Sequence, residues 1–80
     1  MAPNVPSPGS VIRGLMDEYH VDAQATAAMA DIDIVDLEAI LAGAERIGAR
    51  NAYRLETTFG PSATFWLALD ERYHAGTADA

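Results

Sequence analysis

The stretch from Val21 to Gly43, VDAQATAAMADIDIVDLEAILAG, constrains the fold of this chain most, because it predicts two short helices joined by a tight turn. Asp22 is a favourable N-cap for the first helix, over 23–30, and its alanine-rich sequence favours helix. Asp33 is placed to cap the second helix, which Gly43 ends. The spacing is that of a helix-turn-helix motif. The apolar residues of the second helix follow helical spacing: Leu37, Ile40 and Leu41.

The turn between the two predicted helices allows an alternative. Ile32 and Ile34 alternate with aspartates, which is also the pattern of a strand over 31–35. The helical interpretation places Asp31 where such a turn usually has glycine, and Asp tolerates the left-handed conformation better than most residues. We predict helix, and the strand remains the alternative.

The rest of the chain also predicts helices. Ser10 is a plausible N-cap for a first helix that runs to about residue 20, and a fourth helix covers 49–59 after a loop over 43–48. Pro61 and Ser62 begin a fifth helix after Gly60. We predict one all-α, five-helix domain over 8–74, a flexible arm over 1–7 and a disordered tail over 75–80. The predicted core residues are Ile12, Leu15, Val21, Ala27, Ile32, Leu37, Ile40, Leu41, Ile47, Leu55, Phe59 and Leu69.

The charge of the chain conflicts with a DNA-reading motif. The net charge is −7, with five arginines and no lysine, and eight carboxylates lie between Arg13 and Arg46 with no positive residue among them. DNA presents a dense row of phosphates, so a helix that enters its groove normally carries Arg, Lys, Asn, Gln or Ser. The motif predicts DNA binding, and its surface chemistry opposes it.

Several short motifs follow one another along the chain: Pro8-Gly9, Ile40-Leu41-Ala42-Gly43, Ile47, Gly60, Phe65-Trp66-Leu67-Ala68-Leu69 and Tyr73. In this order the chain resembles the HigA/VapI-type antitoxins of the Xre/Cro-like (lambda-repressor-like) helix-turn-helix superfamily, over about four fifths of its length. The resemblance implies a five-helix domain of that kind, acting as a transcriptional regulator or antitoxin. It also implies dimerisation through the C-terminal region.

The chain departs from the family pattern at the positions that read DNA. The family usually has Thr-Gln at the start of the second helix, whereas here Gln24 comes one residue late. The outward positions of the third, recognition helix usually hold Ser, Arg and Thr, and here they hold Asp33, Ile34, Asp36 and Glu38. We therefore expect weakened DNA binding. Alternatively, these residues form a face that binds a protein, or the carboxylates only complement the helix dipole.

Arg46, Arg50 and Arg54 recur every four residues and share a face if the fourth helix starts early enough. They are candidate contacts to DNA phosphates, and the alternative is a solvated face paired with carboxylates. Phe65 and Trp66 cannot both face inward, so one lies in the core. A homodimer interface is predicted on the same helix, with these candidate residues: Phe65, Trp66, Leu69 and Tyr73.

The sequence offers little for other classes of function. The chain has no cysteine, and a calcium loop starting at Asp31 would need Gly and Glu where Asp36 and Ala42 stand. His20 and His74 stand alone near predicted helix ends. We expect no enzyme activity, no cofactor and no metal. We also expect no membrane contact, because no apolar run approaches the roughly 20 residues of a membrane span, and we expect a cytoplasmic location.

Two hypotheses follow for the function. The first is a small HigA-like regulator or antitoxin whose acidic recognition helix weakens DNA binding. The second is an interaction module that does not bind DNA and uses its acidic face to bind a toxin, a repressor or another host DNA-binding protein, as phage-encoded proteins can.

Overall fold

The computed structural model describes residues 6–78, with side chains through Ala75, and in this range it contains five helices and no strand. The predicted all-α, five-helix fold is confirmed. The strand alternative over 31–35 is wrong, because Asp33 caps a helix there. The helices are α1 (Pro8–Tyr19), α2 (Ala23–Ala30), α3 (Ile34–Leu41), α4 (Gly48–Phe59) and α5 (Ala63–Ala78).

The start of α1 differs from the prediction. Ser7, not Ser10, is the N-cap, and the Ser7 hydroxyl oxygen accepts a hydrogen bond from the Ser10 backbone N–H at 3.1 Å. Pro8 then stands at the first helical position, where its fixed φ and missing N–H carry no cost. The predicted arm over 1–7 thus includes the cap of α1, and residues 1–5 lie outside the described range. At the other end, α5 includes residues 75–78 of the predicted tail.

The caps predicted for the helix-turn-helix are confirmed. The Asp22 carboxylate accepts a hydrogen bond from the Ala25 N–H at 2.8 Å, and the Asp33 carboxylate accepts one from the Val35 N–H at 2.9 Å. Asp31 ends α2 in the left-handed conformation, with φ 57°. Local sequence therefore accounts for both ends of the turn.

The core joins all five helices. Leu15 and Val21 are only partly buried against it, and all the other predicted core residues are buried. Trp66, Leu37 and Leu55 are fully buried and large, so they occupy much of its centre. Also buried, though outside the predicted core list, are Met16, Thr26, Ala30, Ala52, Trp66 and Asp70, together with Pro8 and Gly9 at the start of α1.

A close backbone contact fixes α1 against the end of α3. A Cβ atom added at Gly9 would lie 2.4 Å from the Leu41 carbonyl oxygen, so only glycine fits there. This contact holds the helix-turn-helix against the first helix.

Candidate functional site

The outward face of α3 is acidic and carries one large apolar side chain. Asp33, Asp36 and Glu38 are exposed, and Val35 between them is 68% exposed. Ile34, predicted to lie on this face, is half-buried and packs against the core. The prediction is corrected at this position, because Ile34 lies one turn before the buried Leu37 and shares its face. The acidic face thus consists of Asp33, Val35, Asp36 and Glu38.

Gln24 is exposed in the first turn of α2, but a carboxylate occupies the N-terminus of that helix. Helix N-termini attract anions because their first N–H groups lack partners within the helix. The side chains of Asp22 and Asp33 bond these groups in α2 and α3. A phosphate approaching either helix start would meet a carboxylate already bound to the N–H group that it needs.

The N-terminus of α4 is occupied in the same way, by a residue that the sequence analysis missed. Asp70 of α5 is 3% exposed, and its two carboxylate oxygens accept hydrogen bonds from the Ile47 and Gly48 N–H groups at 2.9 Å and 3.2 Å. Ile47, the N-cap residue of α4, offers no polar side chain of its own. The His74 Nε2 atom lies 3.8 Å from the same carboxylate. The one sequence signal was an aspartate directly after the apolar run ending at Leu69.

The three candidate phosphate-binding arginines differ in their exposure and in the carboxylates near them. Arg46 precedes α4 and pairs with Glu71 of α5 at 3.3 Å, while Arg54 lies 3.9 Å from the carboxylate of Asp31. Both pairs are weak, because Arg46, Glu71 and Asp31 are solvent-exposed and only Arg54 is half-buried. Arg50 is exposed and forms no ion pair within the described residues. Of the three, it is the cation most available to an external anion.

Of the two adjacent aromatic residues of α5, one is buried and the other is exposed, as the sequence predicts. Trp66 is fully buried and its Nε1–H donates a hydrogen bond to the Pro61 carbonyl oxygen at 3.1 Å, whereas Phe65 is 41% exposed. Leu69, another candidate for the dimer interface, is also buried within the chain. Trp66 and Leu69 therefore belong to the core of the single chain. The apolar surface of α5 is formed by Phe65 and by Leu67, which is 39% exposed, and the homodimer stays a prediction.

The described residues contain no pocket and no cluster of side chains suited to a metal ion. None of their helices is both long and apolar enough to cross a membrane. The predicted site residues that remain exposed lie on three surfaces: the acidic face, the arginines near α4 and the exposed part of α5.

No protein-family model and no curated protein matches the chain. Solved structures do match it. One is from Nostoc punctiforme PCC 73102, described as an antidote protein of a plasmid maintenance system, with a TM-score of 0.88, 21% sequence identity, and coverage of 95% of this chain and 84% of that one. Another is an addiction module antidote protein of a HigA family from Coxiella burnetii, with a TM-score of 0.84, 31% identity and the same coverage of both chains.

Proposed function

Because the chain belongs to the HigA family of addiction module antidote proteins, we propose that it is an antidote that binds a basic partner protein through its acidic face and binds DNA only weakly. The observation that carries this proposal is the exposure of Asp33, Asp36 and Glu38 on the helix that would enter a DNA groove. The partner of an antidote is a toxin, and a positively charged toxin surface would complement this face.

The weak binding to DNA has a Coulombic cause. Two like charges about 4 Å apart repel by roughly 1 kcal/mol in water and by more at a partly desolvated surface. A carboxylate buried against a phosphate row would also lack a partner. Replacing phosphate contacts by repulsion removes the electrostatic attraction that supplies most non-specific binding. We expect no binding to any operator tighter than micromolar at physiological salt.

Two further features support weak DNA binding. The carboxylates of Asp22, Asp33 and Asp70 occupy the N-termini of α2, α3 and α4, which would otherwise attract phosphates. Among the three candidate arginines, Arg46 and Arg54 face carboxylates of the chain itself. A few arginine contacts alone would give weak and strongly salt-dependent binding.

The proposal is tested with a variant that removes two of the three charges of the acidic face, and with a matched control. The variant Asp36→Asn/Glu38→Gln leaves the Asp33 cap in place, and the control Asp17→Asn/Glu18→Gln removes the same charge from exposed positions of α1. In gel-shift titrations on random duplex DNA, the first variant should bind about tenfold more tightly than the control. Nanomolar binding of the unmodified protein to a particular operator would show that the weak-binding part of the proposal is wrong.

The partner part of the proposal is tested separately. Each purified variant is titrated with the toxin that the protein neutralises in co-expression screens, and the affinity of each complex is measured by calorimetry. The Asp36→Asn/Glu38→Gln variant should bind at least about tenfold more weakly than the control, because it loses two charges that face the partner. Equal affinities would place the toxin interface on another surface.

A second candidate function is an interaction module that binds another DNA-binding protein and neutralises no toxin. The 68% exposure of Val35 amid the carboxylates favours a protein interface of either kind, since the carboxylates repel DNA phosphates while an apolar side chain can bury surface against a protein. A pull-down from native lysate, with and without nuclease, distinguishes the two functions. Recovery of a host regulator rather than a toxin, independent of nuclease, would support the second.

A further inference from the structure

Three residues of α5 hold the loop between α3 and α4, which covers residues 42–47. Asp70 binds the backbone at the end of this loop, and Glu71 pairs with Arg46 within it. The Tyr73 hydroxyl packs against Gly43, where a Cβ atom would lie 3.1 Å from that oxygen. The loop is therefore held along its length by one face of the C-terminal helix.

Asp70 makes the most specific of these contacts. A buried carboxylate is costly unless its oxygens are hydrogen-bonded, and both oxygens here accept bonds from consecutive backbone N–H groups, those of Ile47 and Gly48. These groups stand at the N-terminus of α4, where a negative charge is also favoured by the helix dipole. Asp70 thus acts as an N-cap supplied by a different helix.

We propose that Asp70 is a positioning residue that fixes the α3–α4 loop from α5 and so sets the placement of Arg46 and Arg50. Without this carboxylate, the loop that follows α3 would lose its hydrogen bonds to α5 at residues 47 and 48. The proposal concerns the single chain and does not depend on a toxin or on DNA, so it can fail while the proposed function holds.

The test is backbone amide hydrogen exchange, measured residue by residue on the full chain. Asp70→Asn keeps the shape and one acceptor oxygen but removes the charge and presents an amide N–H₂ to one of the two donors. The control Asp17→Asn makes the same chemical change at an exposed site on α1. In Asp70→Asn, exchange at Ile47, Gly48 and the adjoining loop should become about fivefold to tenfold faster, as expected for loss of a cap.

The location of the effect separates positioning from a general structural role. If Asp70 is only one more core residue, its substitution lowers the global stability, and exchange in α1, α2 and α4 rises together. That result, or unchanged exchange at residues 47 and 48, would overturn the proposal. Exchange that accelerates in the loop and at the start of α4, with α1 and α2 unchanged, supports it.

The unmodified protein provides a second measurement that does not require the variant to fold. First-turn N–H groups of a helix ordinarily lack partners and exchange readily. With Asp70 as their acceptor, the Ile47 and Gly48 amides should exchange at least about tenfold more slowly than exposed, unstructured amides. Exchange at the unprotected rate in the folded, unmodified protein would also overturn the proposal.

Discussion

The α2–α3 pair and the α4–α5 pair are both built from two consecutive helices, but different contacts hold them. The ends of α2 and α3 are capped by their own neighbours, since Asp22 and Asp33 bond N–H groups two or three residues ahead. The start of α4 is capped by a distant residue, whereas the start of α5 has both a local cap and a more distant one. The Ser62 hydroxyl oxygen accepts a hydrogen bond from the Phe65 N–H at 3.2 Å. Asp70 caps α4 from 22 and 23 residues away, and the Glu56 carboxylate accepts a hydrogen bond from Ala63, seven residues ahead.

The side chains that α2 buries are smaller than those of the α4–α5 pair, while α3 buries the large residues Leu37, Ile40 and Leu41. The second helix buries only small residues, Thr26, Ala27 and Ala30, and leaves Met29 52% exposed. The α4–α5 pair buries Leu55, Phe59 and Trp66, all 5% exposed or less. Because apolar burial drives folding, the C-terminal pair should carry more of the stability than the second helix.

This difference explains how α3 can be acidic on its outward face without loss of the fold. The outward residues of α3 contribute little to the core, which Leu37, Ile40 and Leu41 reach from the opposite face. The carboxylates of Asp33 and Asp36 even favour the start of the helix through its dipole. The surface chemistry of the helix-turn-helix can therefore change while the fold is retained.

The largest effect is expected at Trp66. Trp66→Ala removes a fully buried ring and its hydrogen bond to Pro61, which should lower the free energy of unfolding by about 3–5 kcal/mol. The control Phe65→Ala removes a 41% exposed ring and its edge contact with Trp66, at a cost of about 1 kcal/mol. Urea denaturation followed by circular dichroism measures both values. Equal losses would mean that α5 does not anchor the core as described.

A smaller effect is expected where the helix-turn-helix meets α1. Gly9→Ala places a methyl group against the Leu41 carbonyl. Because the backbone there cannot move aside freely, the free energy of unfolding should fall by about 1–3 kcal/mol. The control is Gly14→Ala in the same helix, where a Cβ atom meets nothing within 4 Å. This control should stabilise the protein by about 0.5–1 kcal/mol through helix propensity. Changes of opposite sign in the free energy of unfolding, measured by thermal or urea melts, would confirm the close contact. No change in that free energy for Gly9→Ala would contradict it.

The sequence predicted those features that depend on nearby residues. The Asp22 and Asp33 caps and the left-handed Asp31 were predicted because each depends on a few adjacent positions. The predicted start of α1 was wrong because two nearby serines could each cap this helix. Both Ser7 and Ser10 can cap α1, and the structure uses Ser7 because Pro8 then fills the first helical position.

Contacts between distant segments could not be predicted from the sequence. Nothing near Asp70 indicates that its partners are the amides of Ile47 and Gly48, since the packing of α5 on the loop decides this. The same packing decides which of the adjacent rings Phe65 and Trp66 turns inward. The carboxylates of the predicted face are exposed, but the exposed apolar residue among them is Val35, because the packing of α3 turns Ile34 toward the core.

The smallest effect is expected at the cap of α3. Asp33→Ala removes the hydrogen bond to the Val35 N–H and one carboxylate of the first turn, at a cost of about 0.5–2 kcal/mol. Asp33→Ser keeps a capping oxygen and removes only the charge, so it should retain most of the stability. A comparison of the two in urea melts separates the hydrogen bond from the dipole interaction.

The effect of Asp33→Ala should also remain local. Since the cap joins residues two positions apart, its loss should fray the start of α3 and leave the contacts between α4 and α5 unchanged. Amide exchange should therefore accelerate at residues 34–36 and not at residues 47 and 48. If Asp33→Ala instead costs as much as Trp66→Ala, or loosens the α4–α5 pair, the two halves are more strongly coupled than their contacts indicate. The acidic face would then contribute to the stability of the whole fold.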